Sequence, residues 1–437
     1  MLVALVFLLA ALPCSAQGKT PYDAAMEAGA KAFRESRYAD AEKSLKEAIE
    51  LSSRFPRGDA RHTTALTNLG ALYHRQKRWA EAELHYQRAQ ILMQSVHGPD
   101  HPGLAVLFDN VASLHLEQRH YPQAEEHYAR ALAIAEKALG PGHAGVTQLL
   151  ISLADVVRAQ GKFAAAETHY RRALANWEKS QGSDPIDIAR VLNNLGTVYR
   201  ALDDPVQAEL MFSRSLSLDE RALGRNHKRL LSALTNLGEL YASLARYVEA
   251  EQFYRRALEV AAANYDPSDP AFVPLLNNLS ALNHAQAKYA EAEPVYTRVV
   301  EIQGVQLGGE HAEMALVYNN MGALLHRQKK LAEAEPYYRR ALRVDERALG
   351  ETHMTVAKDL DDLGALLSDL GRYREAEAAI RRALEIRQKH LGPQHKDLIP
   401  TIEAYAAVLR KAGRNDRAES YESLLVKLRE YYKQPPK

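Results

Sequence analysis

Between residues 60 and 93 apolar side chains fall at helical spacing in two runs. Leu66, Leu69, Ala71, Leu72 and Tyr73 form the first, and Ala80, Ala82, Leu84, Tyr86, Ala89 and Leu92 the second, with the short polar stretch Arg75 to Arg78 between them. Spacings of three and four predict two amphipathic helices folded back on one another. The pattern then returns. TNLG at 67–70 is followed by DNVA at 109–112, ISLA at 151–154, NNLG at 193–196, TNLG at 235–238, NNLS at 277–280, NNMG at 319–322 and DDLG at 361–364, always 42 residues apart. Thirteen residues after the third position of each stands an alanine: Ala82, Ala124, Ala166, Ala208, Ala250, Ala292, Ala334 and Ala376, with Ala418 continuing the series. Ala41, with Ala28 and Gly29, marks an earlier unit whose connection is one residue shorter. Ten helix pairs are predicted, which leaves no room among them for a separate catalytic domain.

Small residues recur for packing reasons. Gly70, Gly196, Gly238, Gly322 and Gly364 are expected to let the two helices of a pair approach closely, and the alanine ladder to accept a neighbouring helix. Gly98, Gly140, Gly182, Gly224, Gly308, Gly350 and Gly392 sit in register after each second helix, where a left-handed C-cap favours glycine. Asp266 takes the place of the one missing glycine and is expected to adopt the same conformation.

Composition narrows the classes of function. The chain has 437 residues, 46% hydrophobic and 25% charged, and its 56 Lys and Arg against 55 Asp and Glu give a net charge of +1. That is a folded protein without the basic footprint that nucleic acid or anionic lipid requires. The single cysteine, Cys14, excludes a disulfide framework and a cysteine-based zinc module. Residues 1–16 (MLVALVFLLAALPCSA) combine an apolar run with a helix-breaking Pro13 and small residues, which predicts a signal peptide cleaved after Ala16 and an exported, periplasmic or extracellular protein. The run is too short for a membrane span, and Ala11 and Pro13 disfavour a lipid anchor on Cys14. Residues 17–437 are expected to form a single repeat array whose terminal pairs act as caps, with Glu422 and Leu425 replacing the usual aromatic residue and alanine in the last.

The spacing of Leu-Gly, Tyr, Ala, aromatic and Ala over nine or ten units resembles the tetratricopeptide repeat. The 42-residue period with its LGxxH junction is similar to the kinesin light chain subtype. No heptad coiled coil precedes the repeats and the leader indicates export, so a motor-linked cytosolic role is not implied. The resemblance implies an all-α, right-handed superhelical solenoid of about ten stacked helix pairs, with the first helices lining a concave side that binds protein.

On those first helices the residue before the repeat Leu is asparagine six times in eight: Asn68, Asn110, Asn194, Asn236, Asn278 and Asn320. Asparagine is a mediocre helix former. In families this chain resembles, an asparagine there bonds the backbone of an extended peptide, since its amide both donates and accepts. The competing reading is that each one bonds the neighbouring repeat and orders the stack. One to two turns further lie His74, Arg158, Arg200, His284 and His326, whose positive character would suit an acidic peptide or a C-terminal carboxylate.

The junction histidines His101, His143, His227, His311, His353 and His395 come one per repeat, so four cannot converge on a metal. They are expected to bond backbone groups where the next helix starts. The glutamate after each ladder alanine is expected to support its own helix through Glu167/Arg171, Glu251/Arg255, Glu335/Arg339 and Glu377/Arg381 pairs at i,i+4. No catalytic motif is present, and no cofactor or metal is predicted. The reading is a non-enzymatic scaffold that binds an extended partner segment along the asparagine column. The alternatives are a structural subunit of a cell-envelope assembly that uses its ends or convex face, with self-association as its mark, and an accessory regulator of a separate enzyme.

Overall fold

The computed structural model describes residues 19–56, 59–179 and 184–433, so the proposed leader at 1–16 and the expected cap Gly182 lie outside the described residues. Among those described the chain is all-α, with no strand. The helices fall into two compact units, Met1–Ala222 and Leu223–Lys437. The first unit holds the pairs α1 (Pro21–Arg34) and α2 (Tyr38–Ser52), α3 (Ala60–Arg75) and α4 (Trp79–His97), α5 (Gly103–Glu117) and α6 (Tyr121–Leu139), α7 (Ala144–Ala159) and α8 (Phe163–Lys179), α9 (Pro185–Ala201) and α10 (Pro205–Leu223). The second holds α11 (Leu230–Ser243) and α12 (Tyr247–Asn264), α13 (Phe272–Ala285) and α14 (Tyr289–Leu307), α15 (Met314–Arg327) and α16 (Leu331–Leu349), α17 (Met354–Asp369) and α18 (Tyr373–Leu391), α19 (Ile399–Lys411) and α20 (Asn415–Lys433).

Within each unit a pair packs mainly on itself and on the pairs before and after it, as a repeat stack requires. Consecutive first helices also touch, α3 with α5 and α7 with α9 in one unit, α11 with α13 and α15 with α17 in the other. One face of each stack is therefore built from first helices alone.

The packing roles expected of small residues are visible. The ladder alanines from Ala41 to Ala418 are all fully buried. A methyl group added at Gly238 would lie 2.4 Å from the Tyr254 ring, and one at Gly196 would lie 2.5 Å from Phe212. The aromatic side chain of the second helix thus occupies the space a first-helix side chain would need. Gly98, Gly140, Gly224, Gly308, Gly350 and Gly392 adopt positive φ after their helices. Asp266 does not. Helix α12 ends at Asn264 with Tyr265 in an extended conformation, and the Asp266 carboxylate instead accepts from the Ser268 amide at 3.0 Å. An Asx-type turn therefore replaces the glycine cap.

All six junction histidines do what was expected of them. The ring Nδ1 accepts the backbone N–H two residues on, from Gly103, Gly145, Arg229, Glu313, Thr355 and Asp397, at 3.1–3.3 Å. For α7 and α17 this is the N-cap bond itself.

The glutamate ladder proves to be more than helix support. Glu167/Arg171, Glu251/Arg255 and Glu335/Arg339 form as expected at 3.3, 2.7 and 2.8 Å. Glu377 departs, being buried and paired with Arg414 and Arg417 of the next pair rather than with Arg381. The same link to the following repeat runs through the structure: Glu42 to Arg78, Glu125 to Lys162, Glu251 to Lys288, Glu293 to Lys330 and Glu335 to Arg372, at 2.5–3.7 Å. Each joins the start of one second helix to the turn before the next.

Glu422 is paired with Arg410 and Leu425 is buried, but Val426, Tyr431 and Tyr432 are exposed.

Candidate functional site

The asparagine column does not form one continuous binding strip. Asn68 and Asn110 are only 1% and 2% exposed, so neither presents its amide on the surface. Asn194 and Asn278 are half-buried and reach back one repeat, Nδ2 donating to Asp155 Oδ1 at 3.0 Å and to Glu239 Oε1 at 3.4 Å. Asn320 is exposed, and its Nδ2 donates to the Tyr296 hydroxyl of the preceding pair at 2.9 Å. Asn236 is half-buried on α11. In Asn194, Asn278 and Asn320 the amide N–H group ties one repeat to the one before it.

The expected cations are largely met from within. His326 Nε2 lies 3.1 Å from Asp369 on α17. Arg158 leans on Asp155 at 3.9 Å and on the Tyr170 hydroxyl at 3.4 Å. Arg200 is half-buried in the last turn of α9. His74 is fully buried against Trp79, and burial pushes its pKa down, so it adds no positive charge to the surface. His284 is exposed and set edge-on to Tyr289.

One cleft does gather predicted residues. Between α13 and α15 a groove of about 700 Å³ is lined by Asn277, Asn278, Ala281, His284, Tyr296, Leu316 and Asn320, among others. Leu316 is 63% exposed, an apolar side chain held at the rim of a polar groove. Among the described residues no donor reaches the Asn320 Oδ1, which leaves an acceptor for a ligand amide beside the neutral amides of Asn277 and Asn278. Burial raises the Tyr296 phenol, and the bond from Asn320 opposes that shift, so the hydroxyl stays protonated and holds Asn320 in place.

Models of the tetratricopeptide repeat match residues 23–89, 61–137, 110–179, 187–263, 272–347, 313–389 and 360–430, and a second tetratricopeptide repeat model matches 151–222. The chain belongs to the tetratricopeptide repeat family. No curated relative matches it. Among solved structures, BtubC (BKLC) from P. vanneervenii is 26% identical over 54% of this chain and 94% of its own, with a TM-score of 0.46. The apo quorum sensor NprR from B. thuringiensis is 16% identical over 75% and 89%, with a TM-score of 0.49. A signal-transduction ATPase with numerous domains and a tetratricopeptide repeat sensor, from Pyrococcus horikoshii, is 13% identical over 89% and 52%, with a TM-score of 0.54, and shares the fold.

The tetratricopeptide framework also brings together a polar group that sequence reading missed. Asp155, buried on α7, accepts from the Tyr170 hydroxyl and from Asn194, with Arg158 and Arg190 each 3.9 Å away. The available signal was positional. Asp155 stands where other first helices carry Ala71, Ser113, Ala281 or Ala323. Among the described residues no group of three or more His, Cys, Asp or Glu could hold a metal, and no helix is long and apolar enough to cross a membrane.

Proposed function

We propose that the protein is an exported, non-enzymatic scaffold that holds an extended segment of a partner polypeptide in the groove between α13 and α15. Export rests on the leader at residues 1–16. The groove is supported by one observation above the others: an exposed Leu316 beside three side-chain amides, one of which, Asn320, is held by Tyr296 with its oxygen unused. Membership of a family of protein-interaction scaffolds agrees with this use. The amides would bond the partner backbone, and Leu316 would contact one apolar side chain.

The test is photo-crosslinking from a benzophenone amino acid at position 316, with a second placed at Val305, which is exposed on α14. A partner polypeptide is expected to crosslink at 316 and not at 305. Leu316→Asp, at a site exposed enough to leave the melting temperature in place, is expected to weaken binding of that partner at least tenfold. Undiminished binding by Leu316→Asp, or capture only from position 305, would move the partner off this groove and favour a subunit assembled through its other faces.

A further inference from the structure

The cleft between consecutive pairs contains the same three positions at each junction. One lies on the first helix of a pair, one near the end of its second helix, and one on the next first helix. At the α17–α19 junction they are Asp361, Arg387 and Thr401, where Arg387 Nη2 and Thr401 Oγ1 donate to the same Asp361 oxygen at 2.7 and 3.0 Å. The acid is met internally by a guanidinium reaching along the cleft. Six repeats earlier, at the α5–α7 junction, the same positions hold Asp109, Ala135 and Leu149. The carboxylate is kept, but alanine replaces the arginine that would answer it.

The consequence is a cavity of about 240 Å³ bounded by α5, the end of α6 and α7, with Val106 and Leu149 among its apolar walls and Gln148 as its other polar side chain. Among the described residues no donor or basic group meets the Asp109 carboxylate, and burial alone pushes its carboxyl up to about 6. The titratable groups within its electrostatic reach are the Tyr86 and Tyr128 phenols. Three other junctions at this register avoid such an unanswered charge. Asn277 with Gln303 and Val317 is neutral, Ile151 with Trp177 and Val191 is apolar, and Asp359 accepts from Asn319.

We infer that this cavity receives an arginine side chain of a partner polypeptide, its guanidinium paired with Asp109 and its methylenes against Val106 and Leu149. The cavity has room for one long side chain, and its single anion selects a cation with an apolar stem. The internal Asp361–Arg387 pair supplies the geometry from the same fold. The inference stands apart from the α13–α15 groove.

The experiment is a methyl NMR titration of the protein labelled at Leu and Val, with three probes: N-acetyl-Ala-Ala-Arg-Ala-Ala-amide, its norleucine counterpart, and butylguanidinium chloride. Saturable shifts of the Val106 and Leu149 methyls are expected with the arginine peptide. The norleucine peptide should bind at least tenfold more weakly. Asp109→Asn, a neutral isostere, should lose at least tenfold in affinity for the arginine peptide. Ala135→Arg, which supplies within the chain the group Arg387 supplies at the other junction, should abolish binding and raise the melting temperature. Leu316→Asp should leave the titration unchanged, which separates this site from the groove. Equal binding of the two peptides, or undiminished binding by folded Asp109→Asn, would overturn the inference. Butylguanidinium binding as tightly as the arginine peptide would do so too, since the site would then take small cations rather than a polypeptide.

Discussion

Each helix pair turns on a single residue in the left-handed region: Ser36, then Lys77, Arg119, Gly161, Asp203, Ala245, Ala287, Lys329, Gly371 and Gly413, the last nine 42 residues apart. The residue after each closes a bond to a carbonyl five back, as Lys288 N does to Asn283 O at 2.8 Å, so the conformation is imposed by the helix end. A non-glycine residue in it costs about 1 kcal/mol. Ala287→Gly, at φ 56°, is therefore expected to raise stability by about 0.5–1 kcal/mol. Gly238→Ala, pressed on Tyr254, should lower it by about 1–3 kcal/mol. Thermal denaturation of the two variants checks both signs. Identity governs legibility here. The glycine and alanine ladders stood out in the sequence because one residue type satisfies each packing constraint. The left-handed ladder was hidden because Ser, Lys, Arg, Asp, Ala and Gly all fill it, the backbone alone setting the requirement. Asp266 shows the converse, since its side chain makes a turn of its own where glycine would have capped the helix.

At the scale of an element, the clefts between pairs carry the charges that make stability depend on pH. Asp359 on α17 is 1% exposed, accepts from Asn319 and lies near the Asp345 carboxyl of α16. Burial first, then the neighbouring Asp345 carboxyl, pushes its carboxyl from the ordinary 3.8 up to about 8. The folded state thus holds a proton that the unfolded chain gives up near pH 4. The stability this provides is full below about pH 4 and is lost as pH rises through about 8. Asp359→Asn is expected to flatten that decline in the melting temperature between pH 5 and 8. An unchanged slope would show that the carboxyl is ionised in the fold. On the other unit the sign reverses. His115 and His127 stack at 5.5 Å, and burial lowers both, so acidification below the ordinary histidine range weakens α5 and α6. Sequence reading placed the first helices correctly and chose the asparagine column for its periodicity. Periodicity alone could not separate the buried Asn68 and Asn110 from the exposed Asn320, because burial depends on which side chains the neighbouring repeats contribute.

Over the whole chain the connection from glutamate to the next repeat's base is the recurring polar link, and it escaped the sequence for a geometric reason. Its partners lie 36 or 37 residues apart, a spacing with no meaning until the pairs are stacked. Each half-exposed pair is worth about 0–1 kcal/mol, and salt screens it. Raising NaCl from about 0.1 to 1 M, which shortens the screening length from about 10 to 3 Å, should lower the melting temperature. Arg372→Ala, removing the rung from Glu335, should lower it at low salt and reduce its further fall at high salt. A melting temperature unmoved by salt in both proteins would show that the links carry no stability. The links have a consequence for how such a chain can change in length. Where a rung forms it offers an acid upward and a base downward, so removing a 42-residue block bounded by two such rungs leaves an acid facing a base at the new seam, whereas His120 and Asp204 stand at the base position of two other junctions. Duplication of a block does the same. A gene of this kind can lose or gain such blocks by unequal recombination and still encode matched seams, whereas a deletion of any other length breaks the spacing of the rung that spans it.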